Sequence, residues 1–174
     1  KRAGMEVEKE LSERPAPAMD QKTAIAAQEA RLAAFHNPER TERYDQIRND
    51  LGLTLAQNVG VYRNRADLET GVADVLALRA RFKNIRVNDN SKIFNTNLHQ
   101  VLELENMLLM AESVAKGALA REESRGSHSR EDFPTRDDQK WHKHTLSRLN
   151  ERGEVELSHK AVTMGRYPLE ERKY

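Results

Sequence analysis

The chain has 174 residues, 33% charged and 37% apolar, and its 29 Lys and Arg offset 28 Asp and Glu to a net charge of +1. That length allows one ordinary domain or two small ones with a modest core, and charge balanced along the whole chain speaks against a nucleic-acid footprint. With no Cys there is no disulfide framework, thiol nucleophile, iron–sulfur cluster or Cys-based zinc site; no apolar run approaches a membrane span, and no secretory leader is visible.

Residues 1–18 read as an entry segment in which Pro15 and Pro17 stop any helix begun near Met5. An Ala-rich helix over 19–36 follows, with Asp20 as candidate N-cap and Asn37-Pro38 as its end. A second helix starts near Thr41 as cap. Tyr44, Ile47, Leu51, Leu55, Val59 and Tyr62 recur along it at spacings of three or four, which places them on one face. Gly52 and Gly60 weaken this helix by roughly 1 kcal/mol each relative to Ala and mark a bend or a close helix contact.

Asn64 caps a third helix over 65–83 with Leu68, Val72, Val75, Leu76 and Phe82 as its stripe. Asn88-Asp89-Asn90-Ser91 is turn chemistry. Phe94 is placed to staple the start of the next helix, with Asn95 or Thr96 as cap. That fourth helix, over 96–122, carries a wide apolar face of Leu98, Val101, Leu102, Leu108, Leu109, Val114, Ala115, Ala118 and Leu119, with Met107 and Met110 read as core. Short connections favour antiparallel neighbours. The expected fold is all-α: an antiparallel three-helix bundle, optionally joined by an N-terminal helix, over 19–123, and an irregular polar tail over 124–174. One short strand is expected in the tail, from Val155, Leu157, Ala161 and Val162.

The densest polar cluster runs from Arg121 to Asp138 and on to Trp141, His142 and His144. As an anion site it would use Arg125 and Arg130 as forked donors and His128 as proton carrier; the plainer alternative is a helix end followed by a self-paired charged loop. A metal set from His128, His142, His144 and Asp132 or Asp138 requires irregular backbone, because residues two apart diverge on either regular element. A Ser124–His128–Asp132 triad lacks an elbow to expose its nucleophile. Trp141 reads as an apolar anchor for the tail. No Gly-x-Gly occurs among the eight glycines, so neither a dinucleotide fingerprint nor a P-loop is present.

Three stretches nevertheless carry a resemblance. Leu102-Glu103-Leu104-Glu105-Asn106-Met107-Leu108, the run from Ala120-Arg121-Glu122-Glu123-Ser124-Arg125-Gly126 through His128, Arg130, Asp132 and Pro134, and Arg136-Asp137-Asp138-Gln139-Lys140-Trp141-His142-Lys143-His144-Thr145 resemble the C-terminal region of the flavoprotein subunit of succinate dehydrogenase and fumarate reductase. The ending Tyr167-Pro168 through Arg172-Lys173-Tyr174 and, more softly, Val59-Gly60-Val61-Tyr62-Arg63 and Phe94-Asn95 fit the same pattern; residues 1–40 match poorly.

The resemblance implies a truncated chain. FAD, the residues that hold it and the dicarboxylate site belong to preceding FAD-binding and capping domains, so this chain alone carries no cofactor, catalytic residue or metal and is expected to be inactive. The parent would oxidise succinate to fumarate, pass hydride to FAD and send electrons to an iron–sulfur subunit. It would sit peripherally on the cytosolic or matrix-type side of the membrane, with no nucleic-acid partner. Arg121, Ser124, Arg125, His128, Arg130, Asp132 and Trp141 become candidates for docking on the FAD domain. The alternatives are a stand-alone helical interaction module with a charged binding tail, and a small hydrolase using His128 and Asp132.

Overall fold

The computed structural model describes residues 2–13, 20–165 and 168–170, in two compact units divided between Asn37 and Pro38. Pro15, Pro17, Tyr167 and residues 172–174 lie outside the described residues. The first unit holds α1 (Arg2–Glu13) and α2 (Gln21–Ala34). Asp20 caps α2, its side chain accepting from the Lys22 N–H at 3.1 Å. No residue of α2 is buried, as its mostly Ala periodicity dictates.

The second unit contains α3 (Tyr44–Asn58), β1 (Tyr62–Arg63), α4 (Arg65–Phe82), α5 (Thr96–Ala120), β2 (Ser129–Arg130), α6 (Asp138–Trp141), β3 (Lys143–Leu149) and β4 (Val155–Ala161). Helices α3, α4 and α5 form the bundle. α4 turns Leu68, Gly71, Val75, Leu78 and Phe82 inward, and α5 turns Val101, Leu104, Leu108, Ala111, Ala115 and Ala118. Both series alternate steps of three and four, the period of one helix face. The directions follow from the contacts at each end. Val59, just beyond α3, and Leu68, near the start of α4, share a cluster with Ala115 and Ala118 near the end of α5. At the opposite end, Arg81, near the end of α4, donates from Nε and Nη2 to Glu42, just before α3, at 3.0 Å and from Nη1 to Asp50, in the first half of α3, at 2.7 Å. Successive helices therefore run antiparallel.

Asn64 and Asn95 cap α4 and α5, accepting from the N–H groups of Asp67 and Leu98. Other expectations are corrected. Thr41 does not cap α3; residue 42 is extended, its N–H and carbonyl bonded to Asn84 and Arg86, so Thr41 instead accepts from Asn84 Nδ2. Leu76 faces outward and Leu78 inward, because the face set by Leu68 and Val75 passes through Leu78. Tyr62 belongs to β1 and is exposed. Phe94 does not staple α5: its φ of 55° sits in the left-handed region, and its ring is exposed. Met107, Met110 and Val114 lie on the open face of α5, not in the core. The close helix contact belongs to neither Gly52 nor Gly60 but to Gly71, where an added Cβ would stand 2.8 Å from Val59 Cγ2.

The tail is where the all-α expectation fails. β3 and β4 pair antiparallel over seven residues, from Lys143 opposite Ala161 to Leu149 opposite Val155. Asn150 closes the hairpin, its side-chain oxygen accepting from the N–H groups of Arg152 and Glu154 at 3.0 and 2.9 Å, and Gly153 supplies the φ of 74°. Lys143–Leu149 is polar and five of its seven residues are exposed, so it shows no apolar face from which a strand could be read.

Polar groups fasten this hairpin to the bundle. Glu112 of α5 is fully buried and accepts from Arg79 Nη1, from Lys116 Nζ at 2.5 Å and from the Val155 N–H at 3.3 Å. Lys116 Nζ in turn donates to the Val155 carbonyl at 3.1 Å, and Arg79 Nη2 to that of Gly153 at 3.0 Å. Burial works to raise the pKa of Glu112, and its Lys116 and Arg79 partners outweigh it, leaving the carboxylate below its ordinary value.

Candidate functional site

The end of α5 leaves carbonyls with no partner in the helix, and the chain after it is built to meet them. Arg130, fully buried, donates from Nη1 to the carbonyls of Ala118, Leu119 and Arg121 at 3.1, 3.2 and 3.1 Å. Its other edge forks onto Asp132, Nε to Oδ1 and Nη2 to Oδ2, both at 2.7 Å. Asp132 also accepts from the Arg65 N–H at 3.0 Å, at the start of α4. One buried guanidinium and one carboxylate thus tie the end of α5 to the beginning of α4. The Arg130 hydrogen bonds pull the pKa of Asp132 down to about 2. β2 reinforces the tie by pairing in parallel with β1, Tyr62 opposite Ser129 and Arg63 opposite Arg130.

A second knot forms around Glu123, also fully buried. It accepts from Arg121 Nη1 at 2.6 Å, from Arg125 Nε and Nη2 at 2.7 and 2.9 Å, and from the Asp137 N–H at 2.9 Å. Burial opposes ionisation, yet these donors hold its pKa below the ordinary value. Arg125 reaches on to Asp138 at 2.6 Å, and Arg136 meets the same carboxylate at 2.7 Å. With Arg136 first and Arg125 second, the pKa of Asp138 is lowered to about 2. Asp137 caps α6 by accepting from the Gln139 and Lys140 N–H groups at 3.0 Å.

Arg121 starts the hairpin, donating to the Trp141 and Lys143 carbonyls at 3.0 and 2.8 Å and to Thr145 Oγ1 at 3.2 Å. Trp141 is buried, with the Arg121 guanidinium 5.2 Å and the Lys143 ammonium 4.6 Å from its ring centre, and His159 edge-on at 5.6 Å.

His128 is half-buried between two fixed partners. Arg63 Nη1 stands 2.6 Å from Nδ1, and the Arg121 carbonyl 3.1 Å from Nε2. A guanidinium only donates and a carbonyl only accepts. Nδ1 therefore carries the lone pair and Nε2 the proton, so the ring is neutral. Burial, followed by the charges of Arg63, Arg130 and Arg121, lowers its pKa, against the raising effect of the Arg121 carbonyl.

These contacts place every residue singled out in the sequence. Arg121, Ser124, Arg125, His128, Arg130, Asp132 and Trp141 lie close together, and the polar side chains among them are turned inward on this cluster, except that the buried Trp141 Nε1 has no hydrogen-bond partner among the described residues. The forks of Arg125 and Arg130 are filled by Glu123, Asp138 and Asp132 rather than open to an anion. No triad assembles: Ser124 Oγ accepts from the Arg130 N–H at 2.8 Å and donates to the Phe133 carbonyl at 2.9 Å, and both ring nitrogens of His128 are engaged elsewhere. Among the described residues no group of three His, Asp or Glu is placed to hold a metal ion. Sequence reasoning missed Glu123 and Arg63 as site residues. A carboxylate flanked by Arg121 and Arg125 was the available signal for the first; for the second it was only its place in the Val59–Arg63 stretch that fits the family pattern, since its partner lies 65 residues away.

The profile of the fumarate reductase flavoprotein C-terminal family matches residues 48–174. The fumarate reductase flavoprotein subunit of Haemophilus influenzae is 40% identical over 133 residues, 76% of this chain and 22% of that protein. The succinate dehydrogenase flavoprotein subunit of Rickettsia conorii is 40% identical over 119 residues, 68% of this chain and 20% of that protein. Among solved structures, Escherichia coli quinol fumarate reductase superposes with a TM-score of 0.81 at 33% identity, covering 88% of this chain and 27% of that one. Adenylylsulfate reductase of Archaeoglobus fulgidus shares the fold alone, with a TM-score of 0.77 at 18% identity. The chain thus spans about a fifth of the length of these curated relatives. No described helix is long and apolar enough to cross a membrane. By the family profile and these identities, the chain belongs to the C-terminal region of the fumarate reductase and succinate dehydrogenase flavoprotein subunits.

Proposed function

We propose that this chain braces the flavin-bearing portion of a subunit that interconverts succinate and fumarate. In that subunit hydride passes to FAD and electrons go on to an iron–sulfur partner, at the cytosolic or matrix-type face of a membrane. The observation that carries the reading is the internal use of the charged motif. Arg121, Glu123, Arg125, Arg130, Asp132 and Asp138 are spent on locking the tail to the bundle, which makes a rigid body for docking rather than a reaction centre. Their role in docking is to hold the outer surface in shape; Ser124, His128 and Trp141 fill the same frame.

The present residues do not fit a dinucleotide. Among the described residues parallel strand pairing is limited to the two-residue β1 and β2 and the isolated bridge of Glu42 with Ile85, without the glycine-rich strand–turn–helix unit that cradles a pyrophosphate. Flavin binding is therefore assigned to the rest of the subunit. The test is Arg125→Ala in the full-length protein. A lower ratio of flavin to protein, or a lower unfolding midpoint, is expected; unchanged values for both overturn the bracing role.

A further inference from the structure

A cleft of about 540 Å³ opens between the outer face of α5 and the β3–β4 hairpin. Five nitrogen-bearing side chains line it, Arg63, Arg121, His128, Lys143 and His144, and no Asp or Glu does. In a chain with 29 basic and 28 acidic residues, composition alone does not produce that segregation. The rest of the lining is apolar apart from the hydroxyls of Ser113, Thr145 and Ser147. Met110, Val114 and Gly117 follow one another on α5 at helical spacing, and Leu157 faces them from β4. Met110 is 65% exposed and Val114 49%, on a helix whose opposite face is buried.

The cations of this cleft are unequally compensated. Arg121 has Glu123. Arg63, which is half-buried, has only neutral partners among the described residues: the Gly60 carbonyl at 2.5 Å, the Val59 carbonyl at 3.3 Å and His128 Nδ1 at 2.6 Å. Burial, and after it the charge of another cation, Arg130, both work against its ionised form. A guanidinium has five N–H groups, and these contacts leave donors unused at the wall of the cleft. A charge taken from water without a counter-ion is costly, and a carboxylate arriving at the unused N–H groups of Arg63 relieves that cost with a charge-assisted hydrogen bond.

We propose that this cleft receives a segment of the preceding, flavin-bearing portion of the same subunit, which sets an Asp or Glu carboxylate on Arg63 and an apolar side chain against Met110 and Val114. The proposal rests on the bracing function above and names where the brace engages. Two features select a polypeptide of the subunit as occupant. A free carboxylate or phosphate would satisfy the arginine but leave the apolar floor in water, whereas a peptide segment supplies both chemistries. The relatives are single chains of which this region is about a fifth, so most of the polypeptide lies outside it.

The test uses the purified full-length flavoprotein subunit without its partner subunits. Methionine oxidation by hydrogen peroxide is followed at Met110 by peptide mass spectrometry, in the native protein and in urea. A covered cleft slows Met110 at least tenfold relative to the urea-unfolded subunit. Oxidation at the unfolded rate, in a subunit that retains flavin, overturns the cleft assignment and leaves the bracing function standing. Protection that develops only when the iron–sulfur subunit is added overturns it too, because the occupant is then another chain. A native gene product of about 20 kDa without flavin removes the bracing function itself. The charge is tested separately with Arg63→Lys, which places an amine at the same wall. Carbodiimide coupling of that amine to an Asp or Glu outside this region is the expected result. Coupling only within the region, or none, overturns the role of Arg63.

Discussion

Arg130 and Asp132 face each other through two hydrogen bonds of 2.7 Å while the guanidinium of Arg130 is wholly buried. The same guanidinium satisfies three carbonyls at the end of α5, so it neutralises a carboxylate and finishes a helix at once. Arg130→Met keeps the stem and removes the head. It leaves those carbonyls without their donor and Asp132 without its main partner, a loss of about 3–5 kcal/mol. The measurement is the urea midpoint of the chain at pH 7, and a drop below about 1 kcal/mol contradicts the assigned role. Because the pKa of Asp132 is lowered, its contribution is present above the unfolded value and is lost as pH falls from about 3.8 through about 2.

Glu123 is the second buried charge whose removal is diagnostic. Glu123→Gln preserves shape but turns two acceptor oxygens into one acceptor and one donor, against four N–H groups that all point inward. Arg125 retains Asp138 as a carboxylate partner, whereas Arg121 keeps only neutral acceptors. Charged hydrogen bonds contribute about 1.5–3 kcal/mol, and a loss in that range is expected in the same unfolding assay. The hairpin should loosen first, so amide exchange in β3 should accelerate more than in α4. Equal acceleration in both would show that Arg121 does not anchor the hairpin.

These two residues also mark what the sequence could and could not disclose. The helices were legible because Leu68, Val75, Val101 and Leu108 repeat at the helical period and Asn64 and Asn95 are strong caps. Met110 and Val114 were misassigned to the core because α5 is apolar on more than one face, and period alone does not say which face is covered. The hairpin was half legible, in Val155 and Leu157 but not in Lys143–Leu149, whose strand is held by backbone pairing with β4 and by Arg121. The polar motif announced that Arg121, Arg125 and Arg130 mattered. Their pairing with Glu123 and Asp132 is local, yet the use made of it, closing α5 onto α4, is a property of the tertiary fold alone.

His128 gives a pH dependence of definite sign. Arg63 and Arg121 fix it as the neutral tautomer, and with Arg130 nearby its folded pKa lies below the ordinary 6.5. The unfolded chain therefore binds more protons in this window, and stability falls as pH drops from above 6.5 toward the folded value. His159, lowered by burial and by Lys143 and Arg121, acts in the same direction. His128→Gln removes one of the two titrations. The slope of unfolding free energy against pH between 7 and 5 should shrink, by at most about 1.4 kcal/mol per pH unit. An unaltered slope in paired urea titrations would show that His128 is not held neutral.

Two glycine substitutions should move stability in opposite directions for reasons the geometry separates. In a helix Ala is favoured over Gly by roughly 1 kcal/mol, largely through the entropy of the unfolded chain. Gly52, in α3, has nothing within 4 Å of where a Cβ would stand, so Gly52→Ala should gain close to that amount. Gly71, in α4, meets Val59 Cγ2 at 2.8 Å and Asn58 Cβ at 3.1 Å, and Val59 belongs to the cluster that joins the three helices. The extra methyl must push α3 away from α4, and overpacking of this kind costs about 1–3 kcal/mol, which at this buried contact exceeds the helix gain. Thermal midpoints of the two variants should therefore fall on opposite sides of the parent. If Gly71→Ala rose together with Gly52→Ala, the approach of α3 to α4 at Val59 would be looser than the contact distances require.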